Sequence, residues 1–309
     1  MIPYRDPFYM ERIIDVKNRH RDRLLVLDNV HTVAVGFKTV NGYVLPIPAI
    51  VVFTTNKFPL SQLPFTQRIP TIIEGFPTDV VELPHFVPYQ NTSEIANRER
   101  YRPVPGGAEI YMPNSPTTGG FCTLGMFVHS TRPQDNPDDI YLLSNAHCFY
   151  RPDQVIFQPE SQESSNRIAY ASRILNNSYV DAGIAQMLND GDAEPYEIIG
   201  IGRPLSPYTL NLTNLEQVVV KSGRTTGVTY GRIAYLHADA DDKRDQIIIV
   251  DIDRAFSDHG DSGSIVLMES GSLRHRVVGL LWGGAEIYTI LSPIQAVIEE
   301  MEISLITGS

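Results

Sequence analysis

Residues 256–270 read FSDHGDSGSIVLMES, which sets Ser262 between Asp261 and Gly263, with Gly260 just upstream and the apolar run Ile265 to Met268 just downstream. Glycines around a serine let the backbone take positive φ and approach another molecule closely. The strand that follows would hold such a turn rigid. A serine so placed does nucleophilic chemistry only when an imidazole base and a carboxylate are brought to it. Otherwise the pattern is a tight turn before a strand. Of the eight histidines, His147 in YLLSNAHC follows an apolar strand directly. Asp181, in NNSYVDAGIAQM, opens another apolar strand, where a buried carboxylate needs a partner such as an imidazole N–H. Taken singly, these two read as a strand-end histidine and a charged residue before a strand. Together, His147, Asp181 and Ser262 occur in the order His, Asp, Ser, at intervals of 34 and 81 residues.

The elements that must position them are mostly short strands. From about residue 105, apolar segments recur between Gly, Pro, Asn and Asp: CTLGMFVH, IYLLSNAH, VIFQP, DAGIAQML, QVVVKSG, GRIAYLHA, DQIIIVDI, GSIVLME, RVVGLLWGG and YTILSP. Regular short strands with turn signals predict an all-β barrel or sandwich. One strong helical pattern, Pro293 to Ile306, closes this region. Before it, residues 8–26 carry apolar positions at helical spacing. Alternating β-branched strands follow, with Asn41-Gly42 as a type I′ hairpin turn, then a proline-punctuated stretch and a strand at Asp79–Leu83. The expected organisation is a small α+β module over 1–95, a linker over 96–107 within the polar segment PYQNTSEIANRERYRPVPGG, and a β domain over 108–309.

Composition narrows the function classes. The chain has 309 residues, 42% hydrophobic and 20% charged, as expected of a globular protein large enough for one or two proper cores. No apolar run reaches eighteen residues, so no membrane span is expected. The charged N-terminal stretch lacks the apolar core of a secretory leader, which makes the expected location cytoplasmic. A net charge of −11 with scattered Lys and Arg argues against nucleic acid as a partner. The cluster HADADDKRD (His237 to Asp245) lacks the glycine and glutamate of a calcium loop and reads as a solvated hairpin tip. Cys122 and Cys148, the only cysteines, cannot supply a four-thiolate metal site. No cofactor and no metal are expected.

SNAHC, VDAGIA and GDSGS resemble the histidine, aspartate and serine motifs of trypsin- and chymotrypsin-like serine peptidases. Cys122-Thr123-Leu124-Gly125-Met126, and Ser222-Gly223-Arg224-Thr225-Thr226-Gly227 followed by Gly231-Arg232-Ile233, resemble segments of the bacterial α-lytic protease and streptogrisin branch. These motifs span about 110–295. The resemblance implies a mainly β, chymotrypsin-like double β-barrel, with His147, Asp181 and Ser262 as catalytic groups acting on a protein or peptide substrate. It implies an oxyanion hole at the N–H groups of Gly260 and Ser262. It pairs Cys122 with Cys148, which a cytoplasmic location would tend to keep reduced. It makes Lys221, or the nearby Arg224, the cation that neutralises Asp261, with no N-terminal cleavage needed. Leu281-Trp282-Gly283 resembles the strand that pairs with substrate backbone, but with leucine where a serine usually supports the aspartate. Phe256 falls at the expected pocket base and Glu286 on its wall, so an inward-facing Glu286 would favour Lys or Arg in the substrate.

The leading module, with VAVGFK, IVVFTTNK, IP and TDVV, resembles instead that of a class comprising intracellular bacterial trypsin-like proteins and the rice narrow-leaf protein. That resemblance implies a regulatory protease, homo-oligomeric through the N-terminal module. The rival expectations are a trypsin-fold binding or scaffold protein with little proteolytic activity, an oligomerisation protein dominated by its N-terminal module, and an esterase.

Overall fold

The structure, a computed structural model, describes residues 6–87, 96–113 and 120–308. Residues 88–95, the first part of the polar segment expected to act as a linker, lie outside them. The fold is mainly β, a chymotrypsin-like double β-barrel made of a closed six-strand barrel and a curled half-barrel.

The closed barrel runs in the order Val218–Gly223, Ile265–Met268, Val277–Ala285, Tyr288–Pro293, Lys243–Asp251 and Gly227–Ala240, and the last strand returns to pair with the first. The half-barrel contains Met126–Ser130, Tyr141–Ser144, Asp181–Met187, Arg167–Asn176, Val155–Phe157, Glu109–Tyr111 and Phe121–Thr123. Its interior is lined by Ile110, Leu124, Phe127, Leu142, Ile156 and Ile168, all fully buried. A second cluster, including Met126, Leu143, Ile184, Ile265 and Leu280, joins the two barrels. The site lies along that seam, because the strands ending at Ser144 and beginning at Asp181 and Ile265 all feed it.

The expected hairpin turn is present, with Asn41 at φ 52° and Gly42 at φ 80° and Val40 facing Tyr43. The first helix spans Pro7–Leu25; Asp6 caps it by accepting the Phe8 N–H at 3.1 Å, and Pro7 occupies its first position. The last helix is shorter than its periodicity predicts. It spans Ile294–Met301 and stops at Glu302, which takes a left-handed φ of 49°. Ile303–Leu305 then leaves the helix and pairs with Met126–Ser130, so an apolar stretch that fits a helix finds a sheet edge instead.

The first eighty residues are not set apart from the barrels. The long strand Gly227–Ala240 gives one edge to Val218–Gly223 along its first half and to Val30–Val40 along its second. From Val30–Val40 the same sheet continues to Tyr43–Thr54 and, in parallel, to Phe76–Glu82. The helix packs Ile13, Val16 and Leu24 into one apolar cluster with barrel residues Ile233, Ile247 and Phe256. Its Lys17, 1% exposed, bonds Asp239 at 2.7 Å and the His237 carbonyl at 2.8 Å. Residues 96–107 are also built in. Asn97 donates to the Gly107 and Gly223 carbonyls and the Ser222 hydroxyl, and Val104–Gly106 pairs in parallel with Ala193–Ile198.

Candidate active site

Strand Tyr141–Ser144 ends in a single 3₁₀ turn, Ala146–Cys148, that turns His147 toward the seam. Asp181 begins the neighbouring strand, with Ser144 opposite Gly183. His147 Nδ1 lies 2.6 Å from Asp181 Oδ2, and the other carboxylate oxygen accepts the His147 backbone N–H at 3.0 Å. Asn145 holds the aspartate from behind by donating to its carbonyl at 2.7 Å. Burial works against the Asp181 charge, but the His147 ring and backbone N–H outweigh it, and the carboxyl titrates below the usual aspartate range. In place of a serine at Leu281, His147's own N–H supports the carboxylate, while Ser292 holds the Asp181 backbone, its hydroxyl accepting the Asp181 N–H at 3.3 Å.

The Ser262 turn is fastened to this histidine by a short path. Thr123 N–H donates to the Ser262 carbonyl at 2.8 Å, and Ser144 Oγ donates to the Thr123 carbonyl at 2.9 Å. Cys122, next to Thr123, forms a disulfide with Cys148, next to His147, with Cα atoms 6.1 Å apart. Cys122, His147 and Cys148 place their ligand atoms within 4.8 Å of one another. The sulfurs are bonded to each other, however, and metal binding uses the thiolate. Gly263 has φ +94°, and a Cβ there would lie 2.2 Å from Ser144 Oγ and 2.3 Å from the Thr123 carbonyl. Only glycine lets the serine turn press so closely on the half-barrel.

Two consecutive turns shape the backbone around the serine. Asp261 N–H closes on the Asp258 carbonyl at 3.0 Å with Gly260 at φ +93°, and Ser264 N–H closes on the Asp261 carbonyl at 2.9 Å with Gly263 third. Positive φ at the third residue is the requirement of a type II turn. The His259 carbonyl accepts the Thr225 hydroxyl. In a trans peptide this turns the Gly260 N–H to the opposite face. Among the described residues, no hydrogen bond engages the N–H of Gly260 or of Ser262.

Asp261 anchors both turns from inside. One carboxylate oxygen accepts Thr225 N–H at 2.8 Å and Thr226 N–H at 3.2 Å; the other accepts the Thr226 hydroxyl at 2.7 Å, Asp258 N–H at 3.0 Å and Lys221 Nζ at 3.1 Å. Lys221 also donates to Thr226 and to the Gly227 carbonyl, so its three N–H bonds are all used. Burial pushes the Lys221 ammonium below the usual lysine range, with Asp261 opposing. Of the two expected cations, Lys221 is therefore the partner. Arg224 points the other way, binding Glu109 at 2.7 Å with its guanidinium 4.4 Å from the Phe121 ring centre.

The expected substrate-binding residues divide. Leu281 is next to the serine turn, with its carbonyl accepting Gly263 N–H at 2.9 Å and its N–H donating to Ser264 at 3.0 Å. Trp282 sends its indole N–H to Gln246 Oε1 at 2.9 Å. Gly283 continues the same fully buried strand. Phe256 is 0% exposed and packs in the apolar cluster of the closed barrel, so its ring serves the core. Glu286 does not face inward. It is exposed, at φ 51°, in the two-residue turn that joins Ala285 to Tyr288. So short a turn leaves no chain to fold back, which removes the basis for a cationic preference. Sequence reasoning missed Ser292 and Gln246, which carry no local pattern, and the role of Asn145 inside SNAHC. It also missed Val87, which exchanges backbone hydrogen bonds of 3.2 and 3.0 Å with Gly284.

Comparison with known proteins links the chain to two groups. A family described as the NARROW LEAF 1 N-terminal domain matches residues 12–82, and one described as the Nal1 C-terminal domain matches residues 209–297. Protein NARROW LEAF 1 of Oryza sativa subsp. japonica is 23% identical over 81% of this chain and 50% of its own length. The chain thus spans about half of the curated relative it matches. Among solved structures, Thermobifida fusca protease A superposes with a TM-score of 0.48 at 18% identity, covering 66% of this chain and 99% of that one. A Nocardiopsis protease gives 0.49 at 15%, with the same coverages. What the chain shares with these serine proteases is the double β-barrel fold.

Two measurements follow from the charges here. Removing Lys221 strands a buried carboxylate, so Lys221→Met should cost about 3–5 kcal/mol in urea unfolding. An unchanged midpoint would mean that Asp261 is held by its other donors alone. Asp251, whose carboxyl accepts Phe256 N–H at 2.9 Å, is pushed up by burial to about 6. Its unfolded value is about 4, so the folded state binds the proton more tightly. That stabilising contribution is present below about pH 4 and lost as pH rises through about 6. Asp251→Asn should therefore raise Tm at pH 7.5 and flatten its fall between those values. A lower Tm at pH 7.5 would show that the carboxylate is stabilising.

Proposed function

We propose that this chain is a serine endopeptidase in which Ser262 attacks a peptide carbonyl and an acyl-enzyme is formed and hydrolysed. The observation that carries the reading is the buried Asp181–His147 contact, fastened through the Cys122–Cys148 disulfide and Thr123 to the Ser262 turn. His147 takes the serine proton and returns it to the leaving amine. Asp181 holds the tautomer that presents the other ring nitrogen and stabilises the imidazolium. The N–H groups of Gly260 and Ser262 would meet the developing oxyanion, where one donor is worth about 10²–10³ in rate.

A regulatory rather than degradative enzyme is supported by Val87. The strand Ile265–Met268 begins just past the serine turn and pairs with the next strand only as far as Leu280. Beyond that point the edge of Trp282–Ala285 is the one along which an extended peptide would add. Val87 of the same chain takes the Gly284 position on it. Substrate must displace this contact, which sets the resting activity low.

An organofluorophosphonate probe tests the reading directly. Wild type should label at Ser262, Ser262→Ala should not, and Asp181→Asn should lower turnover by about 10⁴-fold. Full-length protein that does not label, with or without limited proteolysis, favours the binding or scaffold alternative. Val87→Pro, which removes the N–H given to Gly284, should raise kcat/KM for peptide substrates. No increase would mean that the contact is not in the substrate's way.

A further inference from the structure

Gln246 is 0% exposed on strand Lys243–Asp251, and its amide is fully used. Nε2 donates to the Tyr179 carbonyl at 3.0 Å and the Arg244 carbonyl at 2.7 Å. Oε1 accepts the Trp282 indole N–H at 2.9 Å and the Ser292 hydroxyl at 3.4 Å. An amide oxygen has two lone pairs and its nitrogen two hydrogens, so no capacity remains. Arg244 lies on the same strand, and the other three partners belong to different parts of the site. Tyr179 lies two residues before Asp181, and Ser292 Oγ receives the Asp181 N–H at 3.3 Å. Trp282 follows Leu281, whose backbone is bonded on both sides to the serine turn.

We infer that Gln246 is a positioning residue that fixes the distance between the aspartate–histidine pair on the half-barrel and the serine turn on the closed barrel. Other ties cross the seam beside apolar contacts such as Leu143 and Ile265, Thr123 N–H to the Ser262 carbonyl and Arg224 to Glu109 among them, but these do not join the segment before Asp181 to the strand beside the serine turn. Hydrogen bonds are directional, and four on one buried amide leave it a single orientation. Any other side chain of this size leaves buried polar groups unpaired. Methionine abandons all four partners. Glutamate keeps the acceptor but brings a carboxylate against two carbonyl oxygens.

The kinetic consequence rests on the peptidase reading, whereas the geometric one does not, and the experiment separates them. Trp282 is the only tryptophan in the chain, so its emission reports this contact alone. The low-field Nδ1 proton of His147 reports the Asp181 contact without catalysis. In Gln246→Met and Gln246→Glu, Trp282 emission should shift, the His147 proton signal should move or broaden, and Ser262 labelling should slow by about 10- to 100-fold. A shifted Trp282 emission with His147 resonance and labelling rate unchanged overturns the inference, leaving Gln246 as a partner of Trp282 only. Wild type that shows the His147 signal but never labels sinks the peptidase reading, and the resonance of the variants still decides the role of Gln246. If both variants fail to fold, Ser292→Ala severs only the branch to Asp181. A wild-type His147 signal there, too, would overturn the inference.

Discussion

A carboxylate with no contact to water, Asp261, holds the serine region in shape. Its exposure and that of Lys221 are both zero, so neither charge has solvent to fall back on. A buried pair of this kind contributes little net stability, but removing either partner is costly. What it secures is geometry. Five donors converge on two oxygens, and those donors come from the turn before the serine, from the Thr225-Thr226 segment and from strand Val218–Gly223. The turn before Ser262 is thereby fixed by one side chain, while the peptide groups flanking the serine are held by Ser264, Leu281 and Thr123. The cation is internal to the fold, contributed by strand Val218–Gly223.

The half-barrel reaches this turn through contacts that tolerate almost no added volume. Gly263 presses on Thr123 and Ser144, and Gly125 presses on the Gly263 carbonyl, where a Cβ would come within 2.4 Å. Backbone meets backbone at the seam, which is why two glycines far apart in sequence answer to the same constraint. Polar ties then fix direction: Asn145 and Ser292 hold Asp181, and Gln246 spans to Trp282.

The parts legible in sequence are those whose chemistry is local. Gly-Asp-Ser-Gly announces positive φ and a serine turn, and Ser-Asn-Ala-His-Cys announces a strand end. Lys221 next to Ser222-Gly223 was legible only through resemblance, and Arg224, equally close in sequence, turned out to serve Glu109. Glu286 looked like a pocket wall because spacing from a motif does not fix which way a residue in so short a stretch points. Gln246 and Ser292 were invisible, since a lone Gln or Ser on an apolar strand gains meaning only from partners on other strands. Alternation predicted the strands of the first module but not their neighbours. A period of two marks which face is buried and says nothing about which edge is shared.

That shared edge has a consequence for how the chain comes into being. Thr32 pairs with Ala240 and Gly36 with Tyr235, so this strand waits for Gly227–Ala240 to be synthesised before its second ladder can close. Until then an eleven-residue strand carries unpaired N–H and C=O groups, and its helix lacks the Asp239 and Ile233 it packs against. The hairpin with Tyr43–Thr54 is local, whereas this second ladder is non-local, and pairing of that kind is slow to form. A translating ribosome thus holds an open strand edge of the kind that seeks other chains.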